Sequence, residues 1–166
     1  MSRPRLALFL GGLALVLGMA NYAIWQKQAV VDEGRLVLLR LAPVDPRSLI
    51  QGDYMRLRYA ASQGAVADID ALPWRGRFVF RLDADGVAGF VRVDDGTALA
   101  AGEFHIVYRK RGGFGGIDLG AGSYFFQEGD ADLYASARYG VLRVAEDGGS
   151  VLVGLADENR ETIRPD

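Results

Sequence analysis

The sequence predicts a mainly β protein, with one N-terminal transmembrane helix followed by a single β-rich, barrel-like domain that carries one short helix near residues 130–139. Two observations lead to this prediction. Residues 6–25 form an apolar stretch interrupted only by Asn21. From Gly34 onward, short runs of alternating apolar and polar residues are separated by turn signals, which is typical of β strands. We therefore divide the 166 residues into an anchor over residues 1–25 and an exported domain over residues 26–166.

The apolar stretch has the length of a membrane span. As a helix, Leu6–Trp25 would measure about 30 Å, which is the thickness of the hydrocarbon layer of a bilayer. Arg3 and Arg5 precede it, and no acidic residue appears before Asp32. Because basic flanking residues stay on the cytoplasmic side, this bias predicts a cytoplasmic N-terminus and an exported domain.

A cleaved signal peptide is the alternative interpretation of the same stretch. Leu6–Leu17 has the length of a signal-peptide core, and Gly18-Met19-Ala20 supplies small residues at a cleavage position. The apolar character continues beyond that position as far as Trp25, which favours an uncleaved anchor. The chain contains no cysteine, and this excludes a lipid-modified cysteine, disulfides and thiolate chemistry.

Composition argues against several classes of function. The 19 basic and 21 acidic residues give a net charge of −2, which argues against binding to nucleic acid. His105 is the only histidine, and we expect it to face solvent or to form a local hydrogen bond. No pair of carboxylates has the spacing of a calcium site or a catalytic dyad. The sequence therefore predicts neither a metal site nor a cofactor.

The β domain is predicted from strand-like runs bounded by turns. In the clearest run, Phe78, Phe80 and Leu82 share one face. Glu146–Gly149 is a strong turn signal between two further runs and predicts a hairpin. In chain order, the predicted strands are Arg35–Leu41, Met55–Tyr59, Arg77–Leu82, Val87–Val93, Glu103–Arg109, Val141–Ala145 and Val151–Ala156.

One helical segment and one loop interrupt this pattern. Asp130 is a candidate N-cap, Arg138 suits the last turn of a helix, and Gly140 suits the position after it. These residues predict a helix of about two turns near residues 130–139. Gly112–Gly122 contains six glycines, and we expect it to be a long, mobile loop.

The most informative segment is Gly52–Tyr59, which reads G-D-Y-M-R-L-R-Y. After a tight corner at Gly52-Asp53, the side chains of Met55, Leu57 and Tyr59 share one face of a half-buried strand. This G-D-Y-x-x-L-x-Y segment resembles the signature of the GDYXXLXY proteins. These are bacterial membrane-anchored proteins to which no biochemical role is assigned.

Two further motifs are similar to the C-terminal half of that family. They are Y-F-F-x-E-G at Tyr124–Gly129 and A-R-Y-G at Ala137–Gly140. The resemblance covers most of residues 34–155, and no catalytic residues come with it. It implies a place in the bacterial inner (cytoplasmic) membrane. Because such proteins are often encoded beside polytopic membrane proteins, it also implies a partner in that membrane.

We expect a non-enzymatic, exported domain that contacts a partner in the membrane or the cell envelope. The alternative is a ligand-binding or hydrolase module centred on Asp53, Glu128 and Arg138. We expect Glu128 either to pair directly with Arg138 or to cap the helix that follows it. The candidate binding or structural-polar residues are Asp53, Tyr54, Tyr59, Glu103, Glu128, Arg138 and Tyr139.

A weaker similarity concerns the hydrolase alternative. Residues 46–54 look similar to the strand that follows the nucleophile in type I signal peptidases, and Lys110 to their general-base lysine. However, Val44 occupies the position of the family's nucleophilic serine, and Ser48 lies in a predicted turn. Lys110 also adjoins the glycine-rich loop, which we expect to be wet. This similarity implies a related barrel fold without the catalytic pair.

Overall fold

The structure, a computed structural model, describes residues 3–42, 54–61, 69–111 and 116–165. Its first element, α1 (Arg3–Glu33), is a helix of 31 residues that is long and apolar enough to cross a membrane. None of its residues is fully buried by the rest of the described chain. The predicted N-terminal helix is therefore confirmed, and it continues without a break beyond Trp25.

The last turns of α1 connect directly to the β domain. Ala29, Val30 and Val31 are half-buried where the helix meets the sheet. The helix stops at Gly34, whose backbone N–H donates to the carbonyl oxygen of Val30 at 3.0 Å. A side chain at residue 34 would collide with that oxygen, so glycine permits the close turn from helix to strand. We call residues 27–33 the foot of α1.

The strands form three antiparallel sheets. The first has the order β1 (Arg35–Arg40), β8 (Tyr139–Val144), β9 (Ser150–Ala156). The second consists of β2 (Tyr54–Arg56) and β7 (Ser123–Phe125). The third has the order β4 (Ala88–Val93), β3 (Arg75–Leu82), β5 (Glu103–Lys110), β6 (Ile117–Leu119). Bridges between Leu38 and Val87 and between Leu41 and Tyr59 link the sheets.

The three sheets curl around one hydrophobic core as a half barrel. Alternate side chains of each sheet point into this core, as the period of a half-buried strand requires. The largest fully buried side chains are Tyr59, Tyr108, Phe78, Phe80, Leu39, Ile106, Leu119, Leu142 and Leu155. The predicted fold class, mainly β behind one long N-terminal helix, is confirmed, and all the predicted strands are present with shifted bounds.

The signature strand has the predicted register. Met55, Leu57 and Tyr59 are buried, whereas Arg56 and Arg58 are exposed. The strand is shorter than the predicted Met55–Tyr59, because β2 and its ladder with β7 end at Arg56. The chain nevertheless stays extended beyond the ladder. The backbone N–H of Leu57 donates to the carbonyl of Gly122 at 2.9 Å.

The predicted helix near residues 130–139 is shorter than expected. Only α2 (Ala131–Tyr134) is helical, and Asp130 makes no side-chain cap hydrogen bond. Soon after Tyr134, the chain leaves the helix and pairs with strands of the first sheet. The N–H of Arg138 donates to the carbonyl of Ala156, and its own carbonyl accepts from Leu41. The prediction that Arg138 lies in the last helical turn and Gly140 follows the helix is wrong, because both belong to the start of the β8 region.

The glycine-rich loop is also shorter than predicted. Residues 112–115 lie outside the described part of the chain, but Ile117–Leu119 is β6 and pairs with β5. The side chains of Ile117 and Leu119 are buried, with 4% and 0% exposure. Gly116 and Gly120, both with positive φ, flank this strand and turn the chain at each end. The expectation of one loop as far as Gly122 is therefore wrong.

Candidate functional site at the foot of the anchor helix

A cavity of about 730 Å³ lies between the foot of α1 and the β domain. Ala29 and Glu33 border it from the helix, and Phe104 and His105 border it from β5. The charged and titratable residues of its lining are Glu33, Arg35, Glu103, His105, Glu146 and Asp147. Glu33, Glu146 and Asp147 are exposed. These three exposed carboxylates against the one guanidinium of Arg35 make the described part of the opening acidic.

Glu103, a predicted site residue, lies in this lining as part of an ion network. Its Oε1 accepts from Arg81 at 3.1 Å, and its Oε2 accepts from Arg92 at 3.2 Å and from the backbone N–H of Ala100 at 3.0 Å. The Glu103 side chain is 6% exposed. The Ala100 N–H, and then Arg92 and Arg81, hold the pKa of Glu103 below its usual range. The ionised carboxylate of Glu103 therefore links β3 and β4 to the loop before β5.

A second buried carboxylate, that of Asp94, links β3 to the turn after β4 in a similar way. Asp94 accepts from Arg77 Nε at 2.8 Å and from the N–H of Gly96 at 3.1 Å. The Gly96 N–H is the first cause of the lowered pKa of Asp94, and His105 and Arg77 add to it. His105 Nε2 lies 3.5 Å from Asp94 Oδ2, and the histidine side chain is 16% exposed. The expectation that His105 faces solvent is wrong, because the β8–β9 turn covers it at Gly148.

The three sequence motifs meet in one structural unit. Tyr54 lies opposite Phe125 in the β2–β7 ladder, with ring centroids 5.7 Å apart. Tyr59 packs beside Gly140 of the A-R-Y-G motif. Its hydroxyl donates to the carbonyl of Ala121 at 3.0 Å, and burial raises its pKa. Asp53, the remaining candidate of the octapeptide, lies outside the described residues.

The side chains of the run Tyr124-Phe125-Phe126 point alternately toward the core and toward the surface, as strand periodicity requires. Tyr124 and Phe126 pack on Tyr134, with ring centroids 5.1 and 5.3 Å apart. Phe125 points the other way and is 74% exposed. It borders a second cavity, of about 410 Å³, together with Lys27 of the foot of α1. Phe125 therefore lies on the side of the β domain that faces Lys27, two residues beyond the apolar stretch.

Glu128 and Arg138 do not form the predicted pair. Among the described residues, the ion pairs include neither of them. Arg138 Nη1 donates to the carbonyls of Ala137 and Ala135 at 3.0 and 3.5 Å, whereas Glu128 is exposed. The short helix explains the difference, because α2 does not fold Arg138 back toward residue 128.

Tyr139, the last candidate residue, is a buried part of the β1–β8 ladder. It is 5% exposed, and its hydroxyl accepts from Arg40 Nη2 at 3.0 Å. The guanidinium carbon of Arg40 also lies 5.2 Å from the centre of the Tyr139 ring. This contact holds the outer face of two adjacent strands together, so it is a structural contact.

Lys110 has a structural contact as well. Its Nζ donates to the carbonyls of Asp70 and Leu72 at 2.9 and 3.4 Å. The side chain is 19% exposed, and residues 112–115 of the adjoining loop, which we expect to be wet, lie outside the described residues. Ser48 lies outside the described residues. Through these hydrogen bonds, Lys110 links the 69–72 segment to β5.

The apolar stretch of α1 carries a feature that our sequence analysis missed. Ala7, Gly11, Ala14 and Gly18 follow one another at intervals of four, three and four residues, so they share one helical face, here called the small-residue face. No described atom outside the helix would lie within 4 Å of a Cβ at Gly11 or Gly18. The spacing of small residues along the apolar stretch was the signal that would have revealed it.

The acidic cavity lies beyond the C-terminal end of the small-residue face, on the same side of α1. Ala29 is eleven residues after Gly18, which is about three turns and a rise of roughly 16 Å. Ala29 and Glu33 therefore continue on nearly the same face beyond the apolar stretch, and both border the 730 Å³ cavity. A segment lying along the small-residue face would therefore end beside the acidic opening.

Comparison with known proteins gives one match. The family model described as GDYXXLXY protein matches residues 16–155. No curated protein and no solved structure matches the chain. The similarity to type I signal peptidases is not shown by these comparisons.

Proposed function

The protein belongs to the GDYXXLXY family, and we propose that it is a single-pass, membrane-anchored module that binds an integral membrane protein in the same bilayer. The observation that carries this proposal is the alignment of two features on one side of α1. The small-residue face lies within the apolar stretch, and the acidic cavity lies directly above it. Small residues permit close approach of a second transmembrane helix, which a helix serving only as an anchor would not need.

The acidic opening indicates the chemistry of the partner. Glu33, Glu146 and Asp147 surround an opening whose one guanidinium, that of Arg35, stacks 5.4 Å from the centre of the Phe104 ring. A basic loop that follows the partner's transmembrane helix would complement these charges. Complementary charge would also select this partner and increase its rate of association.

Binding fits the described residues better than hydrolysis does. Glu103 is ionised, and two guanidiniums and a backbone N–H occupy its oxygens. A general acid at neutral pH would need a raised pKa, and the shift here is in the opposite direction. Glu128 and Arg138, which the hydrolase alternative brings together, lie apart.

The proposed orientation places the domain on the periplasmic or extracellular side of the inner membrane. Arg3 and Arg5 precede the apolar stretch, and basic residues favour the cytoplasmic side. A reporter that is active only outside the cytoplasm, fused after Asp166, should be active in cells. The protein should also remain in the membrane after carbonate washing. Release of a soluble product that begins near Asn21 would instead show that the apolar stretch is a cleaved signal peptide.

The partner is tested by purifying the full-length protein from its native membrane in mild detergent. We expect Gly11→Leu combined with Gly18→Leu to lose a membrane protein that co-purifies with the unaltered chain. Gly12→Leu is the matched control, because residue 12 lies about 100° around the helix from residue 11. Recovery of the same membrane proteins with all these variants, or of none with the unaltered chain, would contradict the proposal.

Charge reversal tests the cavity separately. Glu33→Lys combined with Glu146→Lys should reduce recovery of the partner, because both residues border the acidic opening. Glu128→Lys combined with Glu158→Lys introduces the same charge change at two exposed residues outside the cavity lining and should leave recovery unchanged. Equal loss with both would show a general effect of charge.

A further inference from the structure

The ring of Phe125 is exposed on a side of the domain that the proposed partner does not cover. Phe125 is 74% exposed, which is more than any other large apolar side chain of the described β domain. Its strand neighbours Tyr124 and Phe126 are packed on Tyr134, so the strand itself is well anchored. The ring is thus held outward by a fixed backbone.

The depth of Phe125 relative to the bilayer follows from α1. Tyr22 and Trp25 lie at the end of the apolar stretch, with ring centroids 6.1 Å apart, and such aromatic residues favour the membrane interface. Lys27 follows Trp25 by two residues, a rise of about 3 Å, and so lies at the level of the lipid headgroups. Lys27 and Phe125 border the same cavity of about 410 Å³. Phe125 therefore lies near headgroup level as well.

The surface around Phe125 suits the headgroup layer. Tyr54 lies directly across the ladder, 5.7 Å from Phe125 between ring centroids, and so adds an aromatic ring with a polar end. Lys27 contributes a cation that can extend its ammonium toward lipid phosphates. An aromatic pair beside a cation is the combination that peripheral membrane contacts use.

We propose that Phe125, with Tyr54 beside it, inserts into the interface of the bilayer that α1 crosses, and thereby seats the β domain on the membrane surface. Lys27 is nine residues after Gly18, which is two and a half turns, so this contact lies on the side of α1 opposite the small-residue face. One side of the helix is left for the membrane partner, while the other side brings the β domain down onto lipid. The contact requires no partner, so it rests only on the membrane-anchoring part of the proposed function.

The experiment uses the full-length protein reconstituted in phosphatidylcholine nanodiscs. Because the chain has no cysteine, Phe125→Cys can be labelled at that residue alone with an environment-sensitive fluorophore. Because the apolar fluorophore takes the place of the Phe125 ring, we expect a blue-shifted emission that is quenched when the nanodisc contains lipid with a nitroxide near the top of its acyl chain. Val91→Cys is the matched control. Val91 is also an exposed apolar strand residue, 42% exposed, but it borders a cavity with Leu39 and Arg40 at the end of β1 far from α1.

The outcomes distinguish contact with lipid from contact with protein. Strong quenching at residue 125 with little at residue 91 supports insertion. Equal quenching at both residues, or a blue shift at residue 125 without quenching by the nitroxide lipid, overturns it. The second result would show that protein, and not lipid, covers the ring.

A second variant keeps the phenylalanine. Ser123→Cys labels the same strand and the same cavity while Phe125 remains in place. Quenching at residue 123 should fall when Phe125→Ser is added, because the domain then loses its apolar contact with the bilayer. Quenching that is unchanged by Phe125→Ser would overturn the role of this ring.

Discussion

The ring of Tyr59 lies against the backbone of Gly140, so the last residue of G-D-Y-x-x-L-x-Y packs on the last residue of A-R-Y-G. A Cβ at residue 140 would stand 3.1 Å from Tyr59 Cε1 and 3.3 Å from side-chain carbons of Leu142 and Leu152. Tyr59 is 1% exposed, and its hydroxyl is bonded to the carbonyl of Ala121. The ring therefore has little freedom to move away from an added methyl group.

Gly140→Ala should destabilise the domain by about 1–3 kcal/mol, because the added carbon overpacks the contact with Tyr59. The measurement is the free energy of unfolding of the full-length protein by guanidinium in mild detergent. Gly154→Ala is the control in the neighbouring strand. There the nearest atom, Thr162 Cγ2, would be 3.5 Å from the new Cβ, an ordinary contact. That substitution should change stability by no more than about 0.5 kcal/mol. Equal losses at the two glycines would show that the Tyr59 contact has no special role.

Leu57→Asp should destabilise the domain by at least about 3 kcal/mol. The side chain of Leu57 is 6% exposed within the core cluster, and a carboxylate there would lose its hydration without gaining a partner. Arg56→Asp places the same residue on the exposed face of the same strand and should cost about 0.5 kcal/mol or less. Both are measured by denaturant unfolding. A mild effect of Leu57→Asp would show that the register of the signature strand is wrong.

The sequence pattern correctly predicted those parts of the fold that depend only on residues close together in the sequence. The alternation of Met55, Leu57 and Tyr59 is a property of one strand, and it correctly predicted which side chains are buried. β6 was missed because Ile117–Leu119 has only three residues between glycines. Its pairing with β5, which no local pattern reveals, makes it a strand. In the same way, α2 ends early because residue 138 is bonded to a distant strand.

The site residues show the same division between local and distant information. Glu103 was singled out, but its partners Arg81 and Arg92 come from β3 and β4 and depend on sheet register. Phe125 was noticed only as a member of an aromatic run. Its exposure depends on which neighbours reach Tyr134, and its place near the membrane depends on how α1 meets the domain. Such information is contained in the tertiary structure and not in the motif.

Glu128→Ala and Arg138→Ala should have additive effects on stability, within about 0.5 kcal/mol. Glu128 is exposed, and Arg138 donates only to nearby carbonyls among the described atoms, so neither removal leaves the other charge without a partner. Glu128→Ala alone should cost no more than about 0.5 kcal/mol. A double-mutant cycle measured by denaturant unfolding of the full-length protein provides the test. A double substitution that costs less than either single one would restore the predicted direct pair.

Glu103→Gln should lower the midpoint of thermal unfolding at neutral pH, and this loss should disappear in acid. The pKa of Glu103 is lowered in the folded protein, first by the N–H of Ala100 and then by Arg92 and Arg81. A carboxyl whose folded pKa lies below its unfolded value, about 4.3, stabilises the fold fully above that value. The stabilisation is lost as pH falls from there through the folded pKa. The difference between the two proteins should therefore be constant near pH 7 and should close below about pH 4.

The measurement is a series of thermal unfolding midpoints of both full-length proteins in mild detergent across this range of pH. Asp94, whose pKa is also lowered, titrates in both proteins and so cancels from the difference. Glu128→Gln is the control, since its carboxylate is exposed and outside the described ion pairs, and its midpoint should follow that of the unaltered chain at every pH. A Glu103→Gln deficit that persists unchanged in acid would mean that Glu103 acts through the shape of its packing. A deficit that closes on acidification would identify its ionised bonds to Arg81, Arg92 and the Ala100 N–H as the source of stability.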